Sequence, residues 1–132
     1  MARALNPAAI AAPLARYSHG VLVPAGHAWL ATSGQLAVGP DGAVPDDAEA
    51  QCVLIFEALG AILAEGGMDF SHVVQFRAYV TDRAYFPVYG AVRARYVAGD
   101  AFASTLIVVS GFTRPEFKVE VELTAARPAV SN

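Results

Sequence analysis

The final third of the chain constrains its fold most, because residues 104–124 carry two different strand patterns around one turn. Ser104-Thr-Leu-Ile-Val-Val-Ser110 is a nearly continuous apolar, β-branched run, the pattern of a strand buried on both faces. Gly111 to Pro115 supplies turn residues, so the two strands read as a terminal hairpin. Phe117 to Thr124 then alternates, with Phe117, Val119, Val121 and Leu123 on one face and Lys118, Glu120, Glu122 and Thr124 on the other. Two carboxylates two residues apart therefore point the same way. Bathed in water they are ordinary surface charges; covered by another subunit they need partners and become candidates for chemistry.

Composition bears on that choice. A chain of 132 residues has the size of one domain, taken as residues 1–132. It is 55% hydrophobic and 16% charged, where an average soluble domain carries about 25% charged residues. A small globule cannot hide that much apolar surface alone, so an obligate homo-oligomer is expected. No run reaches the roughly 20 apolar residues of a spanning helix, and no membrane partner is expected. The alanine-rich N-terminus is interrupted by Asn6, Pro7 and Pro13, which argues against a secretion signal. The single cysteine, Cys52, excludes an internal disulfide and a multi-thiolate zinc site, and a cytoplasmic protein is expected. A net charge of −3 without a Lys/Arg cluster argues against nucleic acid as the main partner, and so against ribonuclease activity.

In chain order, residues 1–16 read as an irregular arm leading to Tyr17-Ser-His-Gly20. Gly20–Pro24 and Ala28–Ser33 read as a hairpin across Ala25-Gly26-His27, followed by a loop through Pro45 that turns at Pro40-Asp41-Gly42. Asp46 with Glu49 forms an Asp variant of the capping box. Cys52, Ile55, Phe56, Leu59, Ile62 and Leu63 follow along one helical face, and Gly66-Gly67 ends the helix. Cys52 on that stripe reads as a small buried hydrophobe rather than a reactive thiol. His72–Thr81 is a strand with Val74, Phe76, Ala78 and Val80 on its apolar face and Gln75, Arg77, Tyr79 and Thr81 opposite. Asp82 caps a second helix over Phe86–Ala98, with Pro87 in its first turn and a stripe of Phe86, Tyr89, Val92 or Arg93, and Tyr96.

The order β-β-α-β-α-β-β predicts an α+β fold, a mixed sheet with both helices on one face. The opposite face carries Gln75, Arg77, Tyr79, Glu120 and Glu122, and a second copy is its expected cover. His19, His27 and His72 share no metal-ligand spacing, so no metal site is expected. No Gly-x-Ser-x-Gly elbow and no phosphate-cradling glycine motif is present. Arg77 can pair across strands with Glu120 or Glu122 to fix register. Alternatively, a dry carboxylate moves a proton beside backbone amides of Ser33-Gly34 and Ser110-Gly111 that hold a small anion.

These residues carry a resemblance over about residues 7–126: Tyr17-Ser-His-Gly20, Thr32-Ser-Gly-Gln35, the Ala48–Gly66 helix, Phe76-Arg-Ala-Tyr-Val-Thr-Asp82, Phe86 with Tyr96, Ser104-Thr-Leu and Val119-Glu-Val-Glu122. The chain resembles the reactive intermediate deaminase (Rid, YjgF-type) proteins, older members of which were labelled L-PSP endoribonucleases. The resemblance implies a chorismate-mutase-like homotrimer with its sheets around a central barrel and small-molecule pockets in the clefts between subunits. It implies cofactor-free hydrolysis of reactive enamine and imine acids such as 2-aminoacrylate. By the family's pattern Tyr17, Ser33, Gly34 and Glu120 line the pocket, and Glu120 positions or activates water.

One departure matters. Deaminating members carry an arginine just before the residue matching Ser104, where it clamps the substrate carboxylate; this chain has Ala103, followed after Ser104 by Thr105. Alanine offers nothing in place of a bidentate guanidinium. Arg77, or Arg114 in the last turn, is the candidate substitute, although Arg114 also reads as a solvated turn residue. The resulting expectation is a Rid-type pocket, with Thr105 at its wall, for a reactive metabolite other than the usual enamine acid. The alternative is a trimer that binds a small ligand without turnover.

Overall fold

The computed structural model describes residues 1–129, so the last three residues of the expected domain lie outside the described ones. The elements are β1 (Arg3–Leu5), β2 (Gly20–Leu22), β3 (His27–Ala31), β4 (Gln35–Leu36), α1 (Ala48–Glu65), β5 (Val73–Val80), α2 (Tyr85–Tyr96), β6 (Ala103–Val108) and β7 (Val119–Pro128). A 3₁₀ turn at Phe70–His72 leads into β5. The main sheet runs β3-β7-β5-β6, and β4 also pairs with β7. Strands β5 and β6 pair in parallel, joined by the crossover through α2. The α+β architecture with two helices on one face of a mixed sheet is the one read from the sequence.

The alternation in the last strand holds. Phe117, Val119, Val121 and Leu123 are buried against the helices, while Lys118, Glu120, Glu122 and Thr124 stay half-exposed on the outer face. Phe76, Ala78 and Val80 of β5 join the same core, with Cys52, Ile55, Phe56, Leu59 and Leu63 of α1 and Tyr89 and Val92 of α2 above them. Phe56 is the hub of the aromatic packing, with ring centroids 5.4–6.0 Å from Phe70, Phe76, Tyr89 and Tyr96. Each such side chain withdrawn from water contributes about 1.5–3 kcal/mol.

Several expectations need correction. The terminal hairpin does not exist: β6 and β7 do not pair, because β5 lies between them, parallel to one and antiparallel to the other. The segment from Val109 to Lys118 is long enough to step across β5, and the local pattern names strands but not neighbours. Nor is β6 buried on both faces; it is the edge strand, with Thr105, Ile107 and Val108 exposed. The expected β2–β3 hairpin fails likewise. β2 pairs with β1, so the N-terminal arm is not wholly irregular, while β3 pairs with β7. The helix cap is Asp47 rather than Asp46, its carboxylate accepting from Ala50 N at 2.7 Å. Ala84 caps α2 with no side-chain bond, and Asp82 accepts instead from Ala84 N in the preceding turn.

One polar residue fastens the two layers. Gln51, fully buried on α1, donates from Nε2 to Pro45 O at 2.8 Å and Glu116 O at 2.9 Å. Its Oε1 accepts from Lys118 N at 2.9 Å. The start of α1 is thereby tied to the segment entering β7. Removing this amide leaves three backbone groups without partners. Gln51→Ala should cost roughly 2–4 kcal/mol in urea unfolding, against less than about 0.5 kcal/mol for exposed Glu65→Ala.

Candidate functional site

The outer face of the sheet is built by register. In the β5–β7 ladder Tyr79 stands opposite Glu120 and Arg77 opposite Glu122. In the β5–β6 ladder Thr105 stands beside Arg77 and Ile107 beside Tyr79. Beyond β7 lies β4, whose Leu36 faces Glu120. That pairing brings Gly34, just before β4, to the Glu120 side chain. Contact there is close. A Cβ added to Gly34 would lie 2.5 Å from Glu120 Oε2 and 2.8 Å from its Cδ, so the carboxylate rests on a backbone that only glycine leaves open.

Glu120 is raised above the ordinary carboxylate pKa, first by desolvation and second by the charge of Glu122. Glu122 has its own partner: the Tyr79 hydroxyl donates to its Oε1 at 2.6 Å. That bond, with burial and the two carboxylates, pushes the Tyr79 phenol up. A carboxylate raised in this way is a stronger base than an ordinary one, which suits general acid/base work.

The expected ion pair is not formed. Although Arg77 stands opposite Glu122, its Nη2 donates to Gln75 Oε1 at 2.9 Å, and the Tyr79 hydroxyl occupies Glu122 instead. Ion pairs among the described residues are His72–Asp69, Arg95–Glu49 and Arg114–Glu116. Arg114 sits in the exposed last turn, bonded to Glu116 at 2.7 Å with its guanidinium 5.1 Å from the Phe117 ring. Thr105 projects from the edge strand, exposed and two strands from Glu120.

Tyr17 lies elsewhere. Its neighbour Ser18 bridges to Ala103 at the far edge of the sheet. Four residues along β6 and two strand spacings separate that point from the Glu120 row, roughly 15 Å at about 3.3 Å per residue and 4.8 Å per strand. Within one chain, Gly34 and Glu120 are brought together, with Ser33 adjacent to Gly34 in sequence; Tyr17 is not. Tyr17 instead lines a cavity of about 370 Å³ beside α2, with Phe86, Tyr89, Arg93 and Ser104. Arg93 was legible only as one of two residues competing for the helical stripe, and it is almost wholly buried.

Other candidates resolve simply. Cys52 is fully buried, and burial with the nearby Glu49 charge pushes its thiol up to about 12, which leaves it inert. Asp69 N donates to His72 Nδ1, and His19 Nε2 lies 2.6 Å from Ala11 O. Among the described residues no group of three or more His, Cys, Asp or Glu side chains is placed to hold a metal ion. No helix among them is long and apolar enough to cross a membrane.

Comparison with known proteins adds an outside line of support. A family model described as endoribonuclease L-PSP matches residues 7–127. Protein DfrA of Myxococcus xanthus is 37% identical over 111 residues, covering 83% of each chain. Among solved structures, the conserved Rid-family protein YyfB of Yersinia pestis superposes with a TM-score of 0.81 at 26% identity, covering 96% of this chain and 98% of that one. The YjgF gene product of E. coli gives a TM-score of 0.69 at 26% identity, over 87% and 91% of the two chains.

The raised Glu120 pKa has a consequence for stability. The native state holds this proton more tightly than the unfolded chain, so stability declines as pH rises from the ordinary carboxylate range through the raised native value. Glu120→Gln removes the decline. Denaturation across pH should find the variant gaining on wild type toward neutrality, with the difference shrinking again in acid.

Proposed function

The chain belongs to the endoribonuclease L-PSP family, the Rid or YjgF-type proteins, and from that premise we propose a cofactor-free enzyme acting on a small reactive imine or enamine. The observation that carries this reading is the Glu120 carboxyl, set against the Gly34 backbone with its pKa raised. In hydrolysis it would take a proton from water attacking the imine carbon and return one to the departing amine. In tautomerisation the same carboxyl would move a proton between carbon and nitrogen. Backbone amides near Ser33 and Gly34 would hold the polar end of the ligand.

Tyr17 and Glu120 are too far apart in one chain to hold one small molecule. A homotrimer, with the Glu120 side of one copy against the β6 edge of the next, would close the crevice between them. Exposed apolar groups on this face and edge support such burial: Trp29 is 58% exposed and Ile107 45%. Thr105, and Arg77 or Arg114, are proposed for the wall. Ala103 lacks the guanidinium of deaminating relatives, so standard 2-aminoacrylate deamination is not proposed. The same absence favours the second reading, a cytoplasmic trimer that binds a small ligand without turnover.

A panel of imines and enamines separates the two. Glu120→Ala should lower kcat/KM at least about 100-fold on the preferred substrate. Equal rates for variant and wild type, or stabilisation by ligands without any turnover, would favour the binding protein. Sedimentation should give a trimer at micromolar concentration. A stable monomer would remove the shared crevice from either reading.

A further inference from the structure

Tyr79 and Glu120 stand directly opposite one another in the β5–β7 ladder, with Arg77 and Glu122 as the next pair on the same face. The phenol does not bond to the residue it faces. It crosses diagonally, and its hydroxyl donates to Glu122 Oε1 at 2.6 Å. Diagonal neighbours on a sheet face lie about 7–8 Å apart, a span that only a long side chain bridges. Arg77, opposite Glu122, donates instead to Gln75 Oε1 at 2.9 Å, and no ion pair among the described residues includes Glu122. The carboxylate beside Glu120 is thus held by a neutral donor, which fixes its position without cancelling its charge.

Few other charges meet Glu120. On its own strand the outer face also carries Lys118, half-exposed and in no ion pair among the described residues. Packed against Glu120 from the other side, β4 brings Gln35, Leu36 and the preceding Gly34, none of them titratable. β3 bears His27 at the far end of its ladder, opposite Pro128, and β6 places Thr105 and Ile107 beside Arg77 and Tyr79. Among charged neighbours it is Glu122 that acts on Glu120, second to desolvation in raising it.

We infer that Tyr79 is a positioning residue for Glu120: its hydroxyl fixes the Glu122 carboxylate as the negative neighbour of Glu120 and keeps it from turning to Arg77. The inference deepens the function proposed above and rests on it only in taking Glu120 as the reacting group. Phenylalanine at this position keeps the ring and loses the donor. The freed Glu122 carboxylate can then turn to Arg77, which would offset its charge and let Glu120 fall back toward the ordinary carboxylate range.

The test is an NMR titration of the glutamate side-chain carboxyl carbons in the full chain, with the Glu120 signal assigned as the one missing from Glu120→Gln. Tyr79→Phe should lower the Glu120 midpoint relative to wild type. Glu122→Gln should lower it as well. Tyr79→Phe added to Glu122→Gln should move it no further, the non-additivity expected of a residue that acts through another. On the preferred imine or enamine, the Glu120 limb of the kcat/KM pH profile should shift with the NMR midpoint. An unmoved or raised midpoint in Tyr79→Phe, or a full further shift in the Glu122→Gln background, would overturn the inference. Glu122→Gln decides the matter if Tyr79→Phe fails to fold, because an unmoved midpoint there removes the neighbour through which Tyr79 acts. A lowered midpoint without turnover of any substrate, or with an unmoved pH limb, upholds the role of Tyr79 and takes Glu120 out of catalysis, so the two readings fail separately.

Discussion

Everything in this fold leans on the ladder around β7. That strand pairs with β3, β4 and β5, and its apolar side chains at 119, 121 and 123 join the core beneath α1. Because strand side chains alternate with period two, driving those residues into the core forces Glu120 and Glu122 onto the opposite face. A slip of one residue would bury two carboxylates and expose the valines. The position of the acidic pair is therefore a by-product of core packing, held by the same free energy that holds the sheet.

On that face, the two carboxylates acquire different surroundings. Glu122 has a phenolic hydroxyl, while Glu120 has a glycine backbone, partial desolvation and a like charge nearby. Desolvation, with the Glu122 charge nearby, is what raises the Glu120 carboxyl. Arg77 does not neutralise either one; it is spent on Gln75. The site is negative in a single chain, which suits proton transfer better than capture of an anion.

Arg93 projects from α2 toward the inner side chain of Ser104, which follows Ala103 on β6. It therefore lies on the helix side of the sheet, away from the outer face that carries Arg77, Glu120 and Glu122.

The sequence by itself determined the elements and their faces. The period of β7, the stripe of α1 and the apolar face of β5 are local properties, set by which side chains must leave water, and each appears in the structure, except that Ile62 of the α1 stripe stays half-buried. The association of Gly34 with Glu120 was available only through the family resemblance. Tertiary structure alone decided who pairs with whom: β5 between β6 and β7, β2 with β1, Glu122 with Tyr79, and Arg93 with Ser104. Strand pairing and side-chain partnership depend on residues dozens of positions apart. Their competition is settled by three-dimensional packing, to which a one-dimensional pattern of polar and apolar residues is blind.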